Sequence, residues 1–337
     1  MLLDTSINIA MQPFKMMVGD MVNEKQKSLA YSIQSFLCNA GSLVGYLFPF
    51  IFTWIGINNI APKGVIPDSV IYSFYIGAFI LVLCVFYTAF TVKEYPPKEY
   101  AEYHQIAPEN PQEKSNVLKH APSVFWTVGL VQFFCWAAFM FMWTYTSGAV
   151  ATQAFDTPVI EKVVGGITSV VLNTQSVEYQ NAADWVGILF AVQAIGSVLW
   201  SIVIPNIRNV KVAYMISLLL GGIGFISIYF IHDPYGLFVS FLLVGCAWAA
   251  MLALPFTLLT NALKGGHVGI YLGLFNCTIC VPQIVAAATG GSLLRMQTEA
   301  GSLPPETNML VLAGIFLLIG AACVVFIKQH SETSKSN

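Results

Sequence analysis

An aspartate and a lysine lie inside an apolar stretch at the start of the chain, which reads LLDTSINIAMQPFK over residues 2–15. With about 100° between successive residues of a helix, Asp4, Asn8 and Lys15 fall on one face. An ionisable side chain within a membrane helix is costly to bury, and it indicates a functional site. The Asp4 carboxyl group can bind and release a proton. Asp4 is therefore a candidate for proton binding, and Asn8 is a candidate for ligand binding beside it.

Each of these charges also has a simpler explanation. Asp4 has only three residues before it, so it can lie at the outer membrane interface. Lys15 is near the end of the predicted helix, where a long side chain reaches the headgroups. The two residues are about 16 Å apart along the axis at 1.5 Å per residue, which excludes a direct ion pair.

The next apolar segment has four polar side chains on one helical face: Ser35, Asn39, Ser42 and Tyr46. Such a stripe can hydrogen-bond the hydroxyl groups of a sugar, and Asn39 is the residue that we single out for binding. Contacts between helices explain the stripe equally well, as does close packing at Gly41 and Gly45.

A later segment places an amide and two indoles on one face: Gln132, Trp136 and Trp143. This combination suits a pyranose, whose C–H face packs on aromatic rings while its hydroxyl groups take directional hydrogen bonds. We therefore predict that all three residues contact substrate. Trp143 has an alternative place in the aromatic belt at the outer membrane interface.

Two further amides, Asn276 and Gln283, share one face of a segment near the end of the chain. Pro282 lies between them, and because it has no amide hydrogen it is predicted to kink this helix. Both amides are candidates for substrate binding. The proline also has a purely structural explanation, because membrane helices tolerate prolines when neighbouring helices satisfy the freed backbone groups.

The composition identifies the elements that must position these residues. Of 337 residues, 56% are hydrophobic and 9% are charged, against about a quarter charged in an ordinary soluble domain. Several apolar runs approach the ~20 residues that cross a bilayer as a helix. We therefore predict an all-α, multi-pass membrane protein. The sequence lacks nucleotide-binding and zinc-protease motifs, and no metal site is predicted.

Apolar runs between polar, proline-rich or glycine-rich breaks predict nine transmembrane helices. They are placed at 1–18, 28–55, 70–92, 122–147, 184–205, 210–231, 235–262, 268–294 and 308–328. The outer segment 148–183 is longer than a turn needs, and we expect a short helix near the membrane surface there.

Basic residues orient this set of helices through the positive-inside rule. One set of alternate loops has Lys63, Lys162 and Arg295, while the other has Lys25, Lys27, Lys93, Lys98, Lys114, Lys119, Arg208, Lys211, Lys264, Lys328 and Lys335. The imbalance predicts a cytoplasmic C-terminus and a multi-pass protein of the cytoplasmic (inner) membrane.

The longest loop divides the predicted helices into two groups. Residues 93–121 are charged and proline-bearing, which is typical of a linker. We therefore predict a partial three-helix bundle over 1–92, a cytoplasmic linker over 93–121, a six-helix bundle over 122–328 and a tail over 329–337.

Three stretches resemble the sucrose-transporter-like, glycoside-cation symporter branch of the major facilitator superfamily, bacterial type. LDTSINIAMQPFKMMVGD resembles the fourth helix of these proteins, and GIYLGLFNCTICVPQIVAAATGG resembles the eleventh. VQFFCWAAFMFMWTYTSGAVA is similar to the seventh helix of bacterial members. The resemblance implies the major facilitator fold, with nine helices that correspond to helices 4 to 12 of a twelve-helix transporter, so that the first three appear to be missing.

The resemblance also implies roles for individual residues. The aspartate that matches Asp4 is the acid that couples proton and sugar, and an arginine stands where this chain has Lys15. The loop after it has Asp20, Lys25 and Lys27 in an order similar to the superfamily's cytoplasmic signature. Together with Lys15, these residues are assigned to a conformational latch, although a solvated loop explains them equally well.

The implied function is proton-coupled symport of a sugar, a disaccharide or another glucoside, by alternating access. We expect a monomer in a lipid bilayer, with no enzymatic activity, no nucleic-acid partner and no cofactor beyond the coupling proton, sodium being left open. The alternatives are an inactive truncated remnant of such a transporter and a membrane-embedded transferase. This chain lacks the charged stretch that plant members have after the seventh helix, which argues against sucrose itself.

Overall fold

The computed structural model is mainly helical. It describes residues 13–18, 21–23, 26–57, 66, 68–93, 96, 99, 102, 121–164, 167–263, 268–299 and 301–328. Most of the predicted linker 93–121 and nearly all of the predicted tail 329–337 lie outside the described residues, as does the start of the first predicted helix.

The N-terminal part of the described chain has one short helical segment and two long helices. Residues 13–18 are helical, and they are followed by α1 (Lys27–Trp54) and α2 (Asp68–Thr91). Both long helices agree with the predicted 28–55 and 70–92 within two residues. Ser69 is the one residue of α2 recorded as buried, so α2 presents an almost entirely apolar surface outward.

The C-terminal part contains the remaining helices. They are α3 (Ser123–Gln153), α4 (Val177–Val203), α5 (Val210–Ile228), α6 (Leu237–Ala262), α7 (Val268–Phe275), α8 (Cys277–Gln297) and α9 (Glu306–Cys323). Short 3-10 turns over Ile204–Asn206 and Val324–Phe326 extend α4 and α9. Among the described residues, seven helical segments are long and apolar enough to cross a membrane, with α7 and α8 forming one of them. The chain is thus a multi-pass membrane protein.

One helix begins seven residues before its predicted start at 184. Ser176 is the N-cap of α4, and its hydroxyl accepts a hydrogen bond from the Tyr179 amide at 3.2 Å. Glu178 follows in the first turn, where a negative charge complements the helix dipole. Hydropathy underestimates such a helix because its first turns are polar.

The prediction of a short helix within 148–183 is wrong. α3 instead continues to Gln153, and an antiparallel hairpin follows, with β1 (Val159–Val164) paired to β2 (Ile167–Leu172). Val159 lies opposite Leu172, and Val164 opposite Ile167. The strands are rich in valine, isoleucine and threonine, and the residues between them are Gly165 and Gly166, a sequence that favours a hairpin over a helix.

Glycines allow α4 and α6 to approach closely. A Cβ atom on Gly245 would collide with the backbone oxygen of Gln193, and one on Gly196 would collide with the backbone of Leu242. Ser197 donates a hydrogen bond to the Gly245 carbonyl at 2.8 Å across the same contact. This is the close packing of small residues by which membrane helices associate.

The glycine pair singled out in the sequence has no such contact. A Cβ atom on Gly41 or Gly45 would meet nothing within 4 Å among the residues that the structure describes. Within the part of the chain that the structure describes, no close packing at these two glycines accompanies the polar stripe of α1.

Candidate functional site

Seven buried side-chain atoms have no hydrogen-bond partner among the described residues: Lys15 Nζ, Ser32 Oγ, Asn39 Oδ1, Gln132 Nε2, Trp136 Nε1, Thr157 Oγ1 and Asn276 Oδ1. Buried polar atoms are normally hydrogen-bonded, so each exception needs an explanation. Five of the seven belong to residues that the sequence singled out for function. We therefore take these residues as the starting point for the candidate site.

Asn39 lies where α1 packs against the C-terminal bundle. Its amide nitrogen donates to the Ser35 carbonyl at 2.7 Å and to the Ser35 hydroxyl at 3.2 Å. The Ser35 hydroxyl in turn donates to the Ala249 carbonyl of α6 at 3.1 Å and accepts from Ser201 of α4 at 3.4 Å. The polar stripe thus joins three helices, and the Asn39 oxygen remains available as an acceptor.

Gln132 is fully buried in α3, with its amide held by a neighbouring helix. Tyr214 of α5 donates its hydroxyl to Gln132 Oε1 at 3.2 Å, and the Cys135 sulfur lies 3.8 Å from the same hydroxyl. The amide nitrogen of Gln132 has no hydrogen-bond partner among the described residues. Tyr214 was not predicted as a functional residue; the signal for it is a phenol within an otherwise apolar helix.

Replacing Tyr214 with phenylalanine is expected to destabilise the folded protein by about 1–3 kcal/mol, because the Gln132 oxygen would stay buried without its donor. The loss should appear as a lower thermal unfolding midpoint in detergent. Adding Gln132→Leu should restore part of it, since both polar partners are then removed. Tyr229→Phe, at a half-exposed tyrosine just beyond α5, is the control. An unchanged midpoint in Tyr214→Phe would contradict the assignment.

An aromatic cluster joins α3 to α6, and we call it the tryptophan cluster: Trp136, Phe139, Trp143 and Trp248. The Trp248 ring lies 5.7 Å from Trp136, 5.6 Å from Trp143 and 4.9 Å from Phe139, between ring centroids. Trp143 remains 41% exposed. The cluster thus has a buried part beside Gln132 and an open edge at Trp143.

Trp248 contacts both predicted tryptophans, and the sequence prediction missed it. It lies in CAWAAM on α6, where small residues surround it on both sides. A bulky amphipathic ring among small residues in a membrane span is the signal that could have identified it.

The last predicted pair lies in the span formed by α7 and α8. A one-residue turn at Asn276 separates the two helices, with backbone angles that remain helical (φ −61°, ψ −25°), and α8 continues through Pro282. At the turn Thr278 donates its hydroxyl to the Phe275 carbonyl at 2.7 Å, and its methyl group packs on Gly129 of α3. The Asn276 end of α8 thus lies against α3. Gln283 is half-buried on α8.

Lys15 lies inside the protein. Its side chain is 5% exposed, and its ammonium group lies 3.7 Å from the centroid of the Phe256 ring on α6. The structure does not place this ammonium group among lipid headgroups. Lys27, at the start of α1, is also buried. Asp4, Asn8, Asp20 and Lys25 lie outside the described residues.

Comparison with solved structures identifies proteins whose fold is similar to that of this chain. No family model matches the chain, and no curated protein matches it by sequence. A crystal structure of a variant of the E. coli fucose:proton symporter FucP is similar, with a TM-score of 0.61 and 13% identity over 93% of this chain and 72% of that one. A second structure, of the major facilitator superfamily transporter FucP in the outward conformation, has a TM-score of 0.58 and 13% identity over 93% and 71%.

These similarities establish the architecture. The chain has the major facilitator fold, as the resemblance of its sequence motifs implied. In such folds, substrate sites lie near the membrane midplane between helical repeats, often at interrupted helices. Asn39 lies before the predicted linker, whereas the tryptophan cluster and Asn276 lie after it.

Proposed function

We propose that this protein is a secondary active transporter that carries a sugar together with a proton by alternating access. The observation that carries the proposal is a set of buried polar atoms on Asn39, Gln132, Trp136 and Asn276 that have no partner among the described residues, together with the aromatic cluster that contains Trp136. Sugars present many hydroxyl groups and apolar C–H faces. Amides and indoles together are the complementary surface.

Within this proposal each predicted residue has a role. Asp4 binds the coupling proton, with Asn8 beside it on the same helical face. Substrate contacts come from Asn39, Gln132, Trp136, Trp143, Asn276 and Gln283. The latch of Lys15, Asp20, Lys25 and Lys27 holds helix ends together in one conformation. The loops rich in lysine and arginine lie in the cytoplasm, and the protein acts as a monomer.

The substrate is proposed to be a disaccharide or glucoside, in line with the sequence motifs similar to the glycoside-cation symporters. Similar structures include a fucose:proton symporter, which favours a sugar and a proton over other substrate and ion pairs. Trp136 and Trp143 lie against each other with ring centroids 6.5 Å apart, and together they present a continuous indole surface to a sugar ring.

Uptake by reconstituted protein tests the proposal. Proteoliposomes with an inward proton gradient should accumulate at least one labelled sugar from a panel of fucose, sucrose, maltose and methyl glucoside, about 10-fold above empty liposomes. A protonophore should abolish accumulation, and so should Asp4→Asn. Asp68→Asn, at the exposed start of α2, is the matched control. Uptake that resists the protonophore would contradict proton coupling, and no uptake across the panel would contradict the function.

A further inference from the structure

The surface of the protein has a groove between α1 and α4, at the end of the molecule where α1 begins and α4 ends. Leu29, Ser32 and Ile33 of α1 line one side, and Ile202 and Asn206 line the other. The groove has a volume of about 360 Å³, which lies within the range of ligand-binding sites. It joins a helix before the predicted linker to a helix after it, and none of these five residues is assigned to sugar binding.

The walls of the groove are apolar. Leu29, Ile33 and Ile202 are each about half exposed, at 49%, 50% and 57%. α4 and the 3-10 turn that extends it form one membrane span up to Asn206. Apolar side chains on the surface of such a span contact acyl chains instead of water. The groove therefore lies where a lipid chain can occupy it.

One hydroxyl group at the groove lacks a hydrogen-bond partner. Serine hydroxyls within helices often donate to the carbonyl four residues earlier, as Ser42 does to Cys38 and Ser201 does to Ser197. The Ser32 hydroxyl has no partner among the described residues, although Ser32 is only 1% exposed. An ester oxygen of a glycerolipid is an acceptor that would satisfy this hydroxyl.

The depth of Ser32 fits such an ester group. Ser32 lies five residues after the start of α1, which is about 8 Å along the helix axis at 1.5 Å per residue. The polar interfacial layer on each side of a bilayer is about 5–8 Å thick. A hydroxyl at this depth is therefore at the level where the ester groups of a lipid join its acyl chains.

The end of the groove has a positive charge without a compensating acid. Asn206 is followed two residues later by Arg208, at most about 7 Å further along the chain. Arg208 is exposed, and its guanidinium group makes no ion pair within the described part of the chain. The sequence has no aspartate or glutamate between Asp184 and Asp233, and none in α1. A basic site at the end of a membrane helix attracts the phosphate of an anionic lipid.

We propose that this groove binds one anionic phospholipid. Its acyl chain packs on Leu29, Ile33 and Ile202. An ester oxygen accepts a hydrogen bond from Ser32, and the phosphate pairs with Arg208. A zwitterionic lipid would fill the same apolar groove, but its own cation would offset the attraction between its phosphate and Arg208. Because the bound lipid contacts both α1 and α4, it stabilises the packing of the N-terminal helices on the C-terminal bundle.

Lipid binding to the delipidated full-length protein in a neutral detergent tests the selectivity of the groove. Native mass spectrometry should show one retained dioleoylphosphatidylglycerol, bound about 5-fold more tightly than dioleoylphosphatidylcholine, as expected for one arginine near the headgroups. Arg208→Gln should remove most of this preference. Arg295→Gln is the control, since Arg295 is exposed at the end of α8. Equal affinities of the original protein for the two lipids would overturn the assignment of an anionic lipid.

A substitution that fills the groove tests its location. Ile202→Trp adds bulk at an exposed lining position and should weaken the binding of both lipids several-fold. Ile195→Trp is the matched control, because Ile195 is 41% exposed on the same face of α4, seven residues earlier, and does not line the groove. Dioleoylphosphatidylglycerol should also raise the thermal unfolding midpoint of the original protein and of Ile195→Trp, but not that of Ile202→Trp.

Two results would overturn the lipid site. The first is equal lipid binding by Ile202→Trp and Ile195→Trp, which would exclude the groove as the place of binding. The second is a dimer that persists without lipid and dissociates in Ile202→Trp, because a second copy of the chain would then occupy the groove. Neither measurement requires a transported sugar, so a failure here is distinguishable from a failure of the proposed function.

Discussion

Replacing Trp248 with alanine is expected to lower the ratio of maximal uptake to half-saturating sugar concentration more than 10-fold. The Trp248 ring packs on Trp136, Trp143 and Phe139, while Trp136 and Trp143 also contact each other at 6.5 Å between ring centroids. Without it the tryptophan cluster loses the ring on which Trp136 and Trp143, the proposed sugar contacts, pack. A tenfold effect corresponds to about 1.4 kcal/mol, which is within the range of a single aromatic pair.

Two controls separate this effect from a loss of folding. Trp248→Phe keeps a ring in the cluster, and its uptake should remain within about threefold of the original protein. Trp126→Ala removes a tryptophan of α3 that is 55% exposed and distant along the helix from the cluster. Comparable uptake by Trp248→Ala and Trp126→Ala would show that the cluster does not contribute to transport.

Replacing Gly245 with valine is expected to cause the largest structural effect, a destabilisation of about 3 kcal/mol or more. Overpacking in a well-packed core costs about 1–3 kcal/mol, and here the added atoms meet backbone that cannot turn aside. A Cβ atom on Gly245 collides with the Gln193 carbonyl of α4, and α4 must move away. The Ser197 hydrogen bond to the Gly245 carbonyl would be lost with that movement.

The measurement is the monodisperse fraction after solubilisation, together with the thermal unfolding midpoint. Gly187→Val is the matched control, because a Cβ atom there meets nothing within 4 Å among the described residues. It lies on α4, so both substitutions add the same side chain to one helix pair. If Gly245→Val and Gly187→Val gave the same yield and midpoint, close packing of α4 and α6 would not be required.

The helices were largely predictable from the sequence because a membrane span must be long and apolar. The ends of α1, α2 and α6 agree with the prediction within two residues. α4 began earlier than predicted, since its first turns are polar and hydropathy does not recognise them. The hairpin of β1 and β2 was missed because six-residue strands give a weak local signal.

Helical periodicity could place Asn39, Gln132 and Trp136 on polar or aromatic faces, but it could not identify what those faces meet. Trp248 and Tyr214 were missed for that reason: each lies on a different helix from the residue that it contacts. Their roles depend on contacts between residues 82 to 112 positions apart, and local spacing contains no information about such pairs.

The sequence by itself determined that the protein crosses the membrane many times. Long apolar runs with few charged residues are stable as helices in a lipid bilayer, whereas in water they would expose too much apolar surface. The sequence also determined which side chains are costly to bury, with Lys15 and Asn276 among them. Only the tertiary structure decided that the Lys15 ammonium faces the Phe256 ring and that the span before α9 has a turn at Asn276. The physical reason is that the free-energy cost of burying a side chain depends on the type of that residue alone. The contacts that offset this cost come from other helices, and only the tertiary structure shows which helices pack against it.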